Sequence, residues 1–169
     1  MLKSGSQLHK NSVVSFIAET VATGFGSGRW PFVAPATVGT LAALVVYWVL
    51  DFLVFNGNGN SIWFFFLIAV TAIAGIWANG YIDNADDHDP SRGVIDEWVG
   101  AWITMLFLPV TWYWMLAGFL LFRVLDIYKP LGVRKIEAWP GGWGIMFDDI
   151  ASGVIGLILL NGVRLAFFN

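Results

Sequence analysis

Two adjacent carboxylates, Asp148 and Asp149, stand where a glycine-rich turn, PGGWG, runs into an apolar stretch, IASGVIGLILLNGVRLAFFN. A second acidic pair, Asp96 and Glu97, opens the apolar run WVGAWITMLFLP, and Asp126 closes the run GFLLFRVL. Charges at the rim of apolar segments cost free energy unless something compensates them. Acidic groups in three such places point to one hydrophilic metal site on the face of a membrane bundle. Arg123 and Lys129 lie three residues to either side of Asp126. On a helix that spacing sets Arg123 beside Asp126, and Lys129 as well if the helix runs as far as Pro130. A cation suited to phosphate then neighbours a carboxylate suited to metal.

The composition supports a membrane protein. Hydrophobic residues make up 57% of the 169, mean hydropathy is +0.70, ten residues are Trp and only 12% are charged. A soluble domain carries about twice that share of charge. The length suits one membrane-embedded domain over 1–169, with an N-terminal extension of 1–12. The formal net charge of −3 gives no basis for a nucleic-acid partner. With no cysteine, disulfides, thiolate zinc sites and cysteine nucleophiles are all excluded. The first thirty residues lack the pattern of a signal peptide, so the chain is expected to be anchored by its own helices.

Residues 36–55 and 62–81 are apolar over the length that crosses a bilayer, and the turn NGNGNS separates them. Residues 150–168 form a third span, in which Ser152 and Gly156 make a small-xxx-small pair. Between them, 98–125 is apolar but broken at Pro109, as one kinked helix or as two short helices folded back on each other. Charge favours the fold-back. It places Lys3, Lys10, Arg29, Arg92, Arg123, Lys129, Arg134 and Lys135 on one side and only Arg164 on the other, a positive-inside distribution. It also brings all five carboxylates to one face, which is then cytoplasmic. The expected fold is an all-α integral membrane protein: a small helical bundle of four to five membrane helices, with a Pro-broken hairpin and a Gly-rich interfacial N-terminal segment.

That segment, GFGSGRWPFVAPATVGT, leads into the first span. Glycine-rich backbone ahead of a helix can present N–H groups to phosphate, which makes Gly26, Gly28 and Thr37 candidate phosphate ligands; it can equally be an elbow that feeds the span. His88 could carry a proton, with Asp89 beside it. Asp83, Asp86 and Asp87 read as a solvated acidic turn. Plainer roles exist for the acidic pairs too: Asp148 or Asp149 could cap the last helix, and Asp96 and Glu97 could complement a helix dipole.

The segments GFGSGRWPFVAPATVGTLAA, HDPSRGVIDEWVGAWIT, FRVLDIYKP and GGWGIMFDDIASGVIG resemble, in order and spacing, the phosphatidylglycerophosphatase A family of small inner-membrane enzymes. The resemblance covers roughly residues 20–157; Gly26, Gly28, Pro35 and Thr37 match its first motif, whereas Arg29, Trp30, Ala36 and Gly93 depart from its usual residues. It implies a magnesium-dependent hydrolase of the bacterial inner membrane, multi-pass, with its active site on the cytoplasmic face. Such an enzyme acts on phosphatidylglycerophosphate among membrane lipids, and a homo-oligomer is compatible with it.

The residues suit that chemistry. Magnesium takes a few carboxylates and keeps its waters, and Asp96, Glu97, Asp126, Asp148 and Asp149 offer ligands; Asp96, Glu97, Asp126 and Asp149, with His88 and Asp89, are candidates for catalysis. Other phosphatase classes lack their motifs here: there is no DxDxT, and His9 and His88 do not form the paired motifs of acid-phosphatase-like lipid enzymes. Two readings from other classes stand beside it. A small transporter or divalent-cation channel would hold its acids at mid-membrane, and a non-enzymatic scaffold would need no ligand pairs.

Sidedness can be tested without background, because the chain has no cysteine. Single cysteines can be placed at Asp87, Thr111 and Gly141, and those at Asp87 and Gly141 are expected to react with an impermeant thiol reagent from the cytoplasmic side only. Labelling of the two from opposite sides would establish the kinked helix and separate the acidic pairs.

Overall fold

The computed structural model describes residues 12–30, 34–55, 62–83 and 90–168. Among them the structure is all helix: α1 Ser12–Ala22, α2 Pro35–Leu50, α3 Ile62–Ile82, α4 Ile95–Met105, α5 Trp112–Tyr128, α6 Val133–Glu137 and α7 Gly142–Phe167. Three helices are long and apolar enough to cross a membrane: α2 together with the wide turn Asp51–Phe55 that continues it, α3, and α7. Their outer faces carry large exposed apolar residues, among them Val45, Phe52, Phe66, Ile73 and Ile158. An outward apolar surface suits lipid as the surrounding solvent.

The apolar stretch 98–125 is two helices. Residues 106–111 break the chain around Pro109, and α4 and α5 pack against each other in opposite directions. Proline cannot donate a backbone bond there and disfavours helix in Leu108, so the reversal falls where the sequence places it. At 11 residues α4 is only about 16 Å long. Every residue of it is buried, surrounded by α2, α3, α5 and α7. Trp102 ties it to α2 by donating its indole N–H to the carbonyl of Ala43 at 2.8 Å.

Two features differ from the sequence reading. Residues 12–22, which carry no expected element between the extension 1–12 and the glycine-rich segment, form a helix that packs on α3. The third span, expected over 150–168, begins as α7 at Gly142 behind the short α6, so Asp148 and Asp149 lie in the second turn of α7. Capping by either is thereby ruled out, since the cap residue is Gly141 at φ 60°. The helix starts early because its first turn nests against backbone. A Cβ on Gly142 would lie 1.9 Å from the Ile76 carbonyl oxygen, a space that glycine alone leaves open.

The most extensive crossing joins α4 and α7. A Cβ on Gly153 would lie 2.6 Å from the carbonyl oxygen of Gly100, and one on Gly100 would lie 2.8 Å from the carbonyl oxygen of Asp149. Backbone cannot yield as a flexible side chain can. Gly153→Ala is therefore expected to destabilise the fold by about 1–3 kcal/mol. Gly162→Ala, on the same helix where nothing lies within 4 Å, should fall within about 0.5 kcal/mol of the parent protein. Unfolding in detergent compares the pair; equal stability of the two variants would show that the crossing tolerates a methyl group.

Candidate active site

The α4–α7 crossing sets the acidic residues in place. Asp96 lies four residues before Gly100 and Asp149 four before Gly153, one helical turn on each helix, so bringing the two glycines into contact brings the two carboxylates together on the same side. Glu97 follows in the first turn of α4, where an acid also complements the helix dipole. Asp126 arrives from the last turn of α5. The result is a cavity of about 340 Å³ lined by Asp96, Glu97, Asp126, Lys129, Asp148 and Asp149, with the start of α2 (34–36) and the loop residues Ser91 and Gly93.

Within it the carboxylates fall into two groups. Asp96, Glu97 and Asp149 are buried, and one carboxylate oxygen from each lies within 4.8 Å of the other two. That spacing approaches the roughly 3–4 Å between ligands around an oxygen-coordinated cation. Oδ2 of Asp149 is buried without a hydrogen-bond partner among the described residues. Three carboxylates this close repel one another unless a cation or proton lies among them. The donor set and the orphaned oxygen fit a magnesium ion. Asp96 is oriented from outside the trio by Asn79, whose amide donates to its Oδ1 at 3.2 Å.

Asp148 and Asp126 face cations instead. Lys129 donates to Oδ2 of Asp148 and pairs with Glu137 at 3.0 Å, while Oδ1 of Asp148 accepts the backbone N–H of Asp149 at 3.0 Å. Arg123 holds Asp126 at 2.6 Å across one turn of α5, as their spacing predicts. Lys129 caps α5 in the left-handed region, at φ 45°, a conformation costing a non-glycine residue on the order of 1 kcal/mol that its two ion pairs offset. Burial alone would lower the pKa of its ammonium, but bonding to Asp148 and Glu137 outweighs burial and raises it, so Lys129 is held as a cation. Two of its three N–H donors serve those partners while the side chain lines the cavity.

Of the described residues of the glycine-rich segment, Ala34, Pro35 and Ala36 line the cavity and residues 24–30 do not. The backbone N–H groups of Gly26 and Gly28 both donate to the carbonyl of Thr23, at 3.1 and 3.0 Å, and that of Thr37 to Ala34 at 2.9 Å. The segment instead seats the start of α4. A Cβ on Gly28 would lie 2.2 Å from the Arg92 carbonyl oxygen and one on Gly39 would lie 2.5 Å from Cβ of Val94, while the Val94 N–H donates to Ala22 at 2.8 Å. This is the elbow reading made specific: it fixes where Asp96 and Glu97 begin. His88 and Asp89, with Asp86 and Asp87, lie outside the described residues. The sequence reading missed Asn79 and Glu137. Asn79 carries a signal in retrospect, because an amide in an otherwise apolar span needs a partner; Glu137 carries none, since its pairing with Lys129 depends on the short α6.

The sequence profile described as Phosphatidylglycerophosphatase A matches residues 20–164. The chain is 45% identical over 157 residues to a Bacteroides thetaiotaomicron protein provisionally named phosphatidylinositol-3-phosphatase, covering 89% of this chain and 95% of that one. It is 39% identical to phosphatidylglycerophosphatase A of Escherichia coli over 83% of this chain and 79% of the relative. It is 32% identical to that of Haemophilus influenzae over 85% and 86%. No solved structure matches significantly. With a profile spanning all four segments that build the cavity, and relatives matched over most of their length, the chain belongs to the phosphatidylglycerophosphatase A family.

Proposed function

We propose that this chain is a magnesium-dependent phosphatase of the bacterial inner membrane, hydrolysing the terminal phosphomonoester of phosphatidylglycerophosphate at the cytoplasmic face. The observation that carries this reading is the buried trio of Asp96, Glu97 and Asp149 beside a lysine held in its charged form, in one cavity at the end of three membrane-length helices. The trio would hold the ion, which when bound supplies charge neutralisation at the phosphoryl oxygens and a more acidic water. Asn79 keeps Asp96 in position for it. Lys129 offers its ammonium to the phosphate from the cavity wall, with Asp148 and Glu137 fixing where that charge stands. Asp126, outside the trio and braced by Arg123, can accept a proton from the attacking water. The water oxygen bonds to phosphorus, the bond from phosphorus to the glycerol oxygen breaks, and that oxygen takes up a proton as it leaves.

The basic residues support a cytoplasmic site. Arg92, Arg123, Lys129, Arg134 and Lys135 lie in or near the elements that form the cavity end, whereas Arg164 donates to the Phe107 carbonyl at the α4–α5 reversal, the opposite end. A transporter reading loses support because the acids line a cavity where helices begin and end. One relative's name favours a second headgroup, phosphatidylinositol 3-phosphate, which is also a lipid phosphomonoester.

Phosphate release in detergent micelles tests both substrates. Turnover of phosphatidylglycerophosphate is expected to exceed that of phosphatidylinositol 3-phosphate and to stop in chelator. Turnover that persists in chelator would overturn the metal mechanism. Asp149→Asn is expected to abolish turnover and also to remove the rise in melting temperature that magnesium gives the parent protein; a variant that still gains the same thermal shift would take Asp149 out of the ligand set.

Lys129→Met is expected to slow phosphate release by about 10²–10³, the scale on which removing one preorganised electrostatic donor acts. Arg134→Met, at an exposed position on α6, should change it little. Unchanged turnover in the Lys129 variant would remove that residue from phosphate binding.

A further inference from the structure

A second cavity lies between α2 and α5. It measures about 230 Å³ and is lined solely by apolar side chains: Leu41, Leu44 and Val45 from α2, and Met115, Leu116 and Phe119 from α5. We propose that this groove receives an acyl chain of the lipid substrate, so that the substrate reaches the acidic cavity sideways from the bilayer along the α2–α5 seam. The proposal rests on the phosphatase reading above.

Continuity between the two cavities is the first support. The start of α2, at Pro35 and Ala36, and the end of α5, at Asp126 and Lys129, wall the acidic cavity. The two helices run in opposite directions, so the same pair walls the groove further along. At 1.5 Å per residue the groove begins about 8–10 Å from the cavity and ends about 14–16 Å from it. A phosphate at Lys129 and a chain in the groove thus lie along one line, ordered as headgroup and tail are ordered in a lipid.

The two seams that α4 makes with α7 and with α2 are shut. α4 and α7 meet backbone to backbone at Gly100 and Gly153. α2 and α4 are closed by Gly39 against Val94 and by the Trp102 bond to Ala43. The groove, by contrast, opens outward, with Leu41, Val45 and Leu116 about half exposed, at 47%, 57% and 50%. A chain in bilayer lipid is already out of water, so seating it here gains packing rather than hydrophobic transfer. Its effect falls on where the phosphate is held, and orientation is what a transferring group most depends on.

The test fills the groove and shortens the chain. Val45→Trp and Leu116→Trp intrude from opposite walls at positions that already face outward. In mixed micelles, kcat/KM for dioleoyl phosphatidylglycerophosphate is expected to fall about tenfold in each variant, whereas kcat/KM for the dibutanoyl analogue, whose chains stop short of the groove, stays at the parent value. Equal values for the parent and variant proteins on the dioleoyl substrate would overturn the proposal. Because a variant could lose activity on both substrates by misfolding, a second measurement uses the parent protein. A non-hydrolysable phosphonate analogue with a photoreactive group in its acyl chain should label 41–45 and 115–119 more than phosphatidylcholine carrying the same chain does. Equal labelling by the two lipids would mean that the groove is ordinary lipid-facing surface. A parent protein that releases phosphate from neither substrate sinks the phosphatase reading itself, whereas one active on both with no dependence on chain length sinks the groove alone.

Discussion

The contact on which the site depends is made by two glycines. Where α4 crosses α7, Gly100 and Gly153 let backbone approach backbone, and the carboxylates of Asp96 and Asp149 stand one turn away on each helix. Any side chain at the crossing would push the helices apart by the size of that side chain. In lipid, packing at close range replaces the hydrophobic effect as the force that joins helices. The same substitution would therefore weaken the bundle and open the trio at once. Structure and chemistry share one constraint.

Charge imposes the second constraint. A helix that carries Asp96 and Glu97 could not stand alone in hydrocarbon, and α4 is too short to cross it. Enclosure by four other helices removes it from lipid altogether, while Asn79 from α3 supplies a polar partner within the enclosure. Around this centre the basic residues balance the remaining acids: Arg123 with Asp126, and Lys129 with Asp148 and Glu137. Among the described residues, Asp96, Glu97 and Asp149 are the carboxylates spaced closely enough to share a small cation.

Much of this was legible in the sequence because it follows from hydropathy and chain stiffness. The three long helices are apolar runs of the right length, and the α4–α5 reversal follows from Pro109 together with the distribution of basic residues. Convergence of Asp96, Glu97, Asp126 and Asp149 followed from that reversal. What could not be read depends on contacts between segments far apart in the chain. The early start of α7 rests on Gly142 meeting the Ile76 backbone, and the role of the glycine-rich segment rests on Arg92 and Val94, more than sixty and more than fifty residues beyond Gly28 and Gly39 respectively. A local reading sees a flexible, phosphate-binding kind of backbone there; the structure uses the missing side chains as room for the α4 entrance. The division of labour between Asp148 and Asp149 was invisible for the same reason, since adjacent residues on a helix point about 100° apart and only the fold decides which one meets Lys129.

The enclosure of α4 also bears on biogenesis. A ribosome delivers α4 well before α7, and α4 has neither the length nor the apolarity to be recognised as a span on its own. Until α7 follows, Asp96 and Glu97 have no Asp149 to face and the seam at Gly100 is open. The acidic cavity is complete only once α7 packs on α4, and a chain halted before Asp149 would lack the third carboxylate of the trio.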